Sequence, residues 1–380
     1  MLTLGIETSC DETAAAVVAD GRSIRSNVVV SSVPLHAPYG GVVPEIACRY
    51  HVEAITRVIR EALLRGGCRL QDIELVAVTS GPGLLGALLV GVSATKALAL
   101  ALRKPCIGVN HLQAHAEVGV LDGAEEPYVS LIVSGGHTSL VSVRPPDRWQ
   151  LLGQTVDDAA GEAFDKVASL LGLGYPGGPA IQQVAEEGNP SAVAFPRARC
   201  RSGSFDFSFS GLKTAVLYYL RSHEPRATSH ELQAANNKTA GTSQFATRGS
   251  QREDCSSRLV SRGSSLDPRF VSDVAASFQE AVVDVLVRQT MAACYAKRAK
   301  RLVLGGGVSA NRRLRERMAE ACQERGITLF VPEPSLCVDN GAMVAVLGDR
   351  LYRRGWRSDL MLAATPDALV TAMLAARDAN

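Results

Sequence analysis

The chain has 380 residues, a formal net charge of +2, 46% hydrophobic residues and 21% charged residues. This length suits two modest domains better than one large core, and the composition is ordinary for a soluble globular protein. The near-neutral balance neither demands nor excludes a nucleic-acid partner, so any such contact must come from a local basic patch. The nine cysteines are scattered and odd in number, and none is spaced Cys-x-x-Cys. A disulfide framework and a thiolate zinc site are therefore not expected, and a reducing cytoplasm fits best. The N-terminus lacks a basic segment followed by a long apolar one, so no signal peptide is expected.

In chain order, Leu2 to Ile6 reads as a strand running into a polar turn at Glu7 to Thr13. Ala14 to Val18 and Ser26 to Ser31 are expected to complete an antiparallel meander. His51 to Arg65 is an amphipathic helix with Val52, Ile55, Ile59, Ala62 and Leu63 on one face, stopped by Gly66-Gly67. Leu75 to Thr79 is a strand, followed by Gly81-Pro82-Gly83. The apolar stretch Leu84 to Leu102 carries Gly86, Gly91, Ser93, Thr95 and Lys96, and is read as a buried Gly-rich helix rather than a membrane span. Pro105 to Val109 is another strand.

A second cycle begins at Tyr128. Val129 to Val133 is a strand, Gly135-Gly136 a tight turn and Ser139 to Val143 the returning strand. Ala159 to Leu171 and Asp273 to Lys297 are helices, and Arg301 to Leu304 is a strand leading into Gly305-Gly306-Gly307. A strand, Gly turn and strand thus open each half, which points to a duplicated α/β architecture with a cleft between lobes. Residues 222–268 are polar, lack apolar periodicity and are expected to form a disordered insertion within the second lobe.

Four constellations carry possible chemistry. In His111-Leu-Gln-Ala-His115, helical spacing places both imidazoles on one face, within reach of one metal ion. A pair of surface or core histidines is the equal alternative from spacing alone. Leu112 stands where a His-Glu-x-x-His protease needs its general-base glutamate, so peptide hydrolysis lacks its base. A third ligand is offered by Asp339, whose ordinary alternative is a helix N-cap.

The second constellation is glycine-based: Ser134-Gly135-Gly136-His137-Thr138 and Gly305-Gly-Gly-Val-Ser-Ala-Asn311. Such turns bring backbone amides close to a phosphate, although neither segment is a P-loop or a dinucleotide fingerprint. The third is Gly161 to Lys166 followed by Tyr175-Pro-Gly-Gly-Pro179. Asp165 lies on its helix, with an ion pair to Lys166 or a neighbour as the ordinary reading. Glu7, Thr8, Asp11 and Glu12 form a further polar cluster in the first turn.

Taken in order, Gly5-Ile-Glu-Thr-Ser-Cys-Asp-Glu-Thr13, Gly40-Gly-Val-Val-Pro-Glu45, the two histidines, Val133-Ser-Gly-Gly-His-Thr138, Asp158 to Lys166, Asp206 to Lys213, Gly305 to Asn311 and Asp339-Asn-Gly-Ala-Met343 resemble the bacterial branch of the TsaD/Kae1/Qri7 family. The resemblance implies an α/β, two-lobed actin/Hsp70-like (ASKHA, duplicated RNase H-like) fold with an interlobe cleft. It places residues 1–112 plus about 335–362 in the N-terminal lobe and 113–334 in the C-terminal lobe. It implies transfer of a threonylcarbamoyl group from threonylcarbamoyl-AMP to N6 of the adenosine 3′ of the anticodon, in tRNAs reading A-starting codons, with release of AMP.

Carried over residue by residue, the resemblance makes His111, His115 and Asp339 the ligands of one divalent ion, Fe(2+) or Zn(2+). Ile132, Val133, Ser134, Gly135, Gly136, Asp165, Gly178 and Asn311 become the adenylate site. As a mechanistic expectation separate from the resemblance, Asp11 or Glu12 assists proton removal. Gln182 stands where some relatives carry an acidic ribose contact and is left out of the site. A TsaB-like paralogue, with the surface around Gly86 to Ala97 as its contact, and a TsaE-like small ATPase are the implied partners. The protein is expected in the cytoplasm with no membrane contact. The rival readings are a metallopeptidase, an ATPase or small-molecule kinase of the same fold class, and a non-catalytic scaffold subunit.

Overall fold

A computed structural model describes residues 1–145, 148–198, 203–223 and 266–367. Most of the expected polar insertion lies outside the described residues. The first half supplies β1 (Leu2–Glu7), β2 (Glu12–Ala19), β3 (Ser23–Ser31), β4 (Leu75–Gly81) and β5 (Cys106–Asn110), together with the longer helices α1 (Pro44–Arg65), α2 (Leu85–Leu102) and α3 (His111–Glu117). The sheet order is β3-β2-β1-β4-β5; β1, β2 and β3 run antiparallel, and β4 and β5 are parallel to β1. Such a sheet is covered on both faces, which is why β1 and β4 are buried almost throughout.

The second half supplies β6 (Tyr128–Val133), β7 (Thr138–Arg144), β8 (Arg148–Gln154), β9 (Arg301–Gly305) and β10 (Thr328–Phe330). Its longer helices are α4 (Ala160–Leu171), α5 (Gly177–Ala185), α6 (Ser210–Ser222), α7 (Pro268–Lys297) and α8 (Arg312–Glu324). Its order is β10-β9-β6-β7-β8, again with an antiparallel meander of three strands and two parallel additions. Strand for strand this repeats the first sheet, so the duplication expected from the two Gly turns is a duplication of topology. The fold is the two-lobed, actin/Hsp70-like α/β arrangement.

One more helix, α9 (Gly341–Arg353), follows the second sheet in sequence but packs on β1, β2 and β4 of the first. The approach is close enough that a Cβ on Gly341 would lie 2.5 Å from the Ala16 amide nitrogen. Ala342, Ala345 and Val346 fill the gap against Ala16 and Val18. The chain's late segment is thereby brought back to the first lobe.

Several expected elements shift. Helix α1 begins at Pro44, seven residues before His51, because proline suits the first helical turn. Its buried face is His51, Ala54, Ile55, Val58 and Ala62, whereas Val52 is 63% exposed. Helix α2 is not the buried helix expected for Leu84 to Leu102. Only one side is buried, through Ala87, Leu88, Gly91, Val92, Thr95 and Ala99, while Leu85, Leu89 and Leu100 face outward. By length and composition α2 could cross a membrane, but a third of it (33%) is buried inside the fold. Strands β8 and β10 have no counterpart in the sequence reading. The Gly305-Gly-Gly motif opens a 3-10 turn, Gly307–Ala310, before α8 begins.

Candidate active site

Helix α3 lies between the two sheets, and its periodicity explains where its histidines go. Residues four apart share a stripe. Ala114 and Val118 pack with Leu75, Ala77, Ile107, Val109 and Met343 of the first lobe. Leu112 and Ala116 pack with Tyr128, Ile132 and Val303 of the second. Burial contributes about 1.5–3 kcal/mol for Leu112 or Val118 and less for each alanine methyl. With those two stripes so occupied, the stripe of His111 and His115 faces the space between the lobes. Asn110 fixes the start of the helix, its Oδ1 accepting from the Leu112 and Gln113 amides at 2.9 and 3.1 Å.

Asp339 meets them from the other end of the chain. The N-cap of α9 is Asn340, whose Oδ1 accepts from the Met343 amide at 3.0 Å. The capping role weighed for Asp339 thus falls to its neighbour, and Asp339 is left to turn inward. Its Oδ1 lies 2.9 Å from His115 Nε2 and 3.5 Å from His111 Nε2. One ligand atom from each of His111, His115 and Asp339 lies within 4.8 Å of the others. Two imidazole nitrogens and one carboxylate oxygen at that separation fit a divalent ion with coordination positions left over for substrate.

The electrostatics follow from the crowding. Burial works against a charged His111, but Asp339 and Glu7 outweigh it and raise the imidazole to about 9. Burial likewise opposes the Asp339 carboxylate, yet His111 and His115 hold it well below the usual carboxylate range. Behind His111, the buried Glu7 places Oε2 3.2 Å from Nδ1 and also accepts from the Thr79 hydroxyl at 2.5 Å.

Around this triad is a cleft of about 570 Å³, lined from both lobes. From the first polar turn come Asp11 and Glu12, whose carboxylates approach Asp339 within 4.8 Å. Burial, a hydrogen bond with Asp11 and the charge of Asp339 push Glu12 up to about 10. Thr8, from the same turn, is buried and donates to the Ala87 carbonyl at 2.9 Å, a structural tie to α2.

The facing wall is glycine-rich. The Ser134 amide donates to the His137 carbonyl at 2.8 Å, and the His137 amide donates to Ser134 Oγ at 3.1 Å. This closes the tight turn that presents Gly135 and Gly136 to the cleft. Helix α4 braces it from behind: a Cβ on Gly161 would lie 2.6 Å from the Ser134 carbonyl oxygen. Asp165 accepts from the Gly177 amide at 2.7 Å, joining α4 to the first turn of α5, and burial raises its carboxyl. Its neighbour Lys166 pairs instead with Asp158 and Glu162, at 2.6 and 2.7 Å. Asn311 caps α8, with Oδ1 accepting from the Leu314 amide at 3.0 Å and Nδ2 donating to Gln279 at 2.8 Å.

Of the residues singled out in the sequence, Asp11, Glu12, Ser134, Gly135, Gly136, Asp165, Gly178, Asn311, His111 and Asp339 all line this one cleft. His115 sits behind His111 and is fully buried. Ile132 and Val133 do not line it; their side chains fill the cores on opposite faces of the second sheet. The sequence reading named His137 and Glu7 within their motifs but gave neither a place in the site. His137 lines the cleft beside His111, and burial together with the His111 charge lowers it to about 4. Its signal was its place directly after the two glycines of the turn. Gln182, set aside on sequence, also lines the cleft and accepts from the Arg312 amide at 2.8 Å.

The family model for TsaD, tRNA N6-adenosine threonylcarbamoyltransferase, matches residues 23–346. The chain belongs to the TsaD family. A tRNA N6-adenosine threonylcarbamoyltransferase of Symbiobacterium thermophilum is 51% identical over 367 residues, covering 96% of each chain. One of Geotalea uraniireducens is 50% identical over 350 residues, covering 92% of this chain and 91% of its own. Among solved structures, full-length HypF in its phosphate- and nucleotide-bound form superposes with a TM-score of 0.52 at 14% identity, over 93% of this chain and 46% of HypF, a likeness of fold alone. Membership in the TsaD family makes the chain a transferase acting in tRNA modification and implies a metal ion, for which His111, His115 and Asp339 form a possible site.

Proposed function

We propose that this chain transfers the threonylcarbamoyl group from threonylcarbamoyl-AMP to N6 of the adenosine 3′ of the anticodon, in tRNAs reading A-starting codons, and releases AMP. The observation that carries the reading is that the His111, His115 and Asp339 cluster and the Ser134–Gly136 turn share one cleft between two nucleotide-fold lobes. The adenine amine is a weak nucleophile. The donor offers an activated carbonyl and, in AMP, a good leaving group. Attack forms the N6–C bond and breaks the bond from carbonyl carbon to phosphate oxygen; one proton leaves N6.

In this reading the amides of Gly135 and Gly136, residues that line the cleft, receive the adenylate phosphate as negative charge grows on it. Asp165, Gly178 and Asn311 form the wall for the rest of the adenylate. Asp11 or Glu12, the two acids of the first turn, accepts the N6 proton. His111, His115 and Asp339 would hold the ion, which we assign as Fe(2+) ahead of Zn(2+), and it would supply Lewis-acid polarisation and a template for the donor.

In this reading residues 1–112 with about 335–362 form one lobe and 113–334 the other, and the enzyme works in the cytoplasm away from membranes. The exposed apolar side of α2, with Leu85 and Leu89, suits a TsaB-like paralogue, and a TsaE-like small ATPase completes the set. The test is incubation of the chain and its partners with tRNA and threonylcarbamoyl-AMP, followed by nucleoside mass spectrometry. Threonylcarbamoyladenosine formed with stoichiometric AMP supports the proposal. Unmodified tRNA, or ADP as the product, refutes it.

A further inference from the structure

Glu7 has no exposed surface, yet it carries a carboxylate. It ends β1, and every lone pair in use is accounted for by a donor. Oε1 accepts from the Ser9 amide at 2.6 Å, and Oε2 accepts from the Thr79 hydroxyl at 2.5 Å and faces His111 Nδ1 at 3.2 Å. With the Ser9 amide and the Thr79 hydroxyl both donating to it, the carboxyl group presents acceptor oxygens, and an acceptor favours the proton on the nitrogen that faces it. Ser9 Oγ lies equally far from Nδ1, at 3.2 Å, but a hydroxyl serves either tautomer and selects neither. With its proton on Nδ1, neutral His111 turns the lone pair of Nε2 toward Asp339, 3.5 Å away.

We propose that Glu7 is a positioning residue for the metal site: its buried carboxylate holds the proton of His111 on Nδ1 and so aims Nε2 at the ion. The inference rests on the reading of His111, His115 and Asp339 as ligands. Outer carboxylates of this kind fix ring orientation and raise ligand basicity. The two imidazoles are treated differently, because among the described residues no partner takes up His115 Nδ1. His111 is therefore the ligand whose tautomer is set from behind.

A purely structural Glu7, tying β1 to β4 through Thr79, makes a different prediction. In Glu7→Gln the shape survives. The Ser9 amide is a fixed donor and keeps the amide oxygen on its side, so the new NH₂ group faces His111. A donor there favours the lone pair on Nδ1 and the proton on Nε2, the wrong tautomer for the ion.

The experiment is zinc competition against a chromophoric chelator, run on folded wild type, Glu7→Gln, Ser9→Ala and Asp339→Ala. Stoichiometric binding by wild type that Asp339→Ala abolishes establishes the ligand reading on its own; if that fails, the ligand reading fails before Glu7 is judged. Glu7→Gln is then expected to weaken zinc by about 10–100-fold, and Ser9→Ala to stay within about twofold of wild type, since a hydroxyl selects neither tautomer. Zinc affinity unchanged in folded Glu7→Gln, or an equal loss in Ser9→Ala, overturns the proposal. Nitrogen-15 spectra of the histidine rings in zinc-loaded wild type give a readout that needs no variant. His111 protonated at Nδ1 and bound through Nε2 supports the proposal, and the reverse overturns it.

Discussion

His115 Nε2 lies 2.9 Å from Asp339 Oδ1, although 224 positions separate the two residues in the chain. Two packing decisions bring them together. Helix α3 spends two of its stripes on the two lobes, and α9 returns to the first sheet with Asn340 as its cap. Replacing any one of His111, His115 or Asp339 by alanine leaves both decisions intact. The expected result is loss of stoichiometric metal and at least a 100-fold fall in threonylcarbamoyl transfer, as is common when a ligand is lost outright. Circular dichroism should remain that of the wild type. A metal-free variant with full activity would sink the metal reading.

The pH dependence of metal uptake follows from His111. In the metal-free fold its imidazole is raised to about 9, so below that pH the ion must displace a proton. Apparent affinity should rise about tenfold per pH unit up to near 9 and then level off, counting this one proton. For folding itself the sign is opposite. A raised imidazole stabilises the metal-free fold below its unfolded value of about 6.5, and that contribution fades as pH climbs through about 9. Chelator competition and thermal melts from pH 6 to 10 measure the two effects separately. An affinity that is flat between pH 6 and 8 contradicts the first.

Much of this was legible in the sequence, and the reasons are specific. The His111/His115 spacing, the Gly135-Gly136 turn and the meander strands are local signals, and each appears where expected. The pairing of Asp339 with the histidines was not local, and from the residues alone an N-cap competed with it. Only the fold shows that Asn340 takes the cap. Ile132 and Val133 were drawn into the site with their motif, but strand alternation sends both into cores. The outward face of α2 was misjudged because a run rich in leucine and alanine looks apolar all round. Glu7 was read only as part of the polar cluster of the first turn, since a carboxylate beside a turn usually faces water.

The glycine turn can be tested apart from the metal. Gly161 stands on α4 where a Cβ would meet the Ser134 carbonyl oxygen at 2.6 Å and Gly135 Cα at 2.7 Å, backbone that cannot step aside cheaply. Gly161→Ala should therefore displace the Ser134–Gly136 turn while leaving α3 and α9 in place. We expect KM for the adenylate donor to rise about tenfold, corresponding to about 1.4 kcal/mol, with zinc affinity unchanged. Steady-state kinetics alongside metal titration decide it; loss of metal without a change in KM would place the turn outside the donor site.

Glu280 offers a test of stability that does not touch the cleft. It lies on α7, 13% exposed, and accepts from Arg313 Nε at 2.7 Å and from Arg317, both on α8. Burial opposes its charge, but the two guanidinium groups prevail and hold the carboxyl below its ordinary value. A lowered carboxyl stabilises the fold above its unfolded value of about 4.3, and the contribution is lost as pH falls through the lower folded value. Glu280→Gln should cost about 1–2 kcal/mol at pH 7, because charge-assisted bonds become neutral ones while the guanidinium groups stay half-buried. The guanidinium groups keep Asp284 and Glu316 as partners, which limits the loss. Denaturant melts of both proteins at pH 7 and pH 3 measure the gap. It should be wider at pH 7 than at pH 3, because the wild-type carboxyl takes up its proton as pH falls. A gap of the same size at both values would mean that shape rather than charge ties α7 to α8.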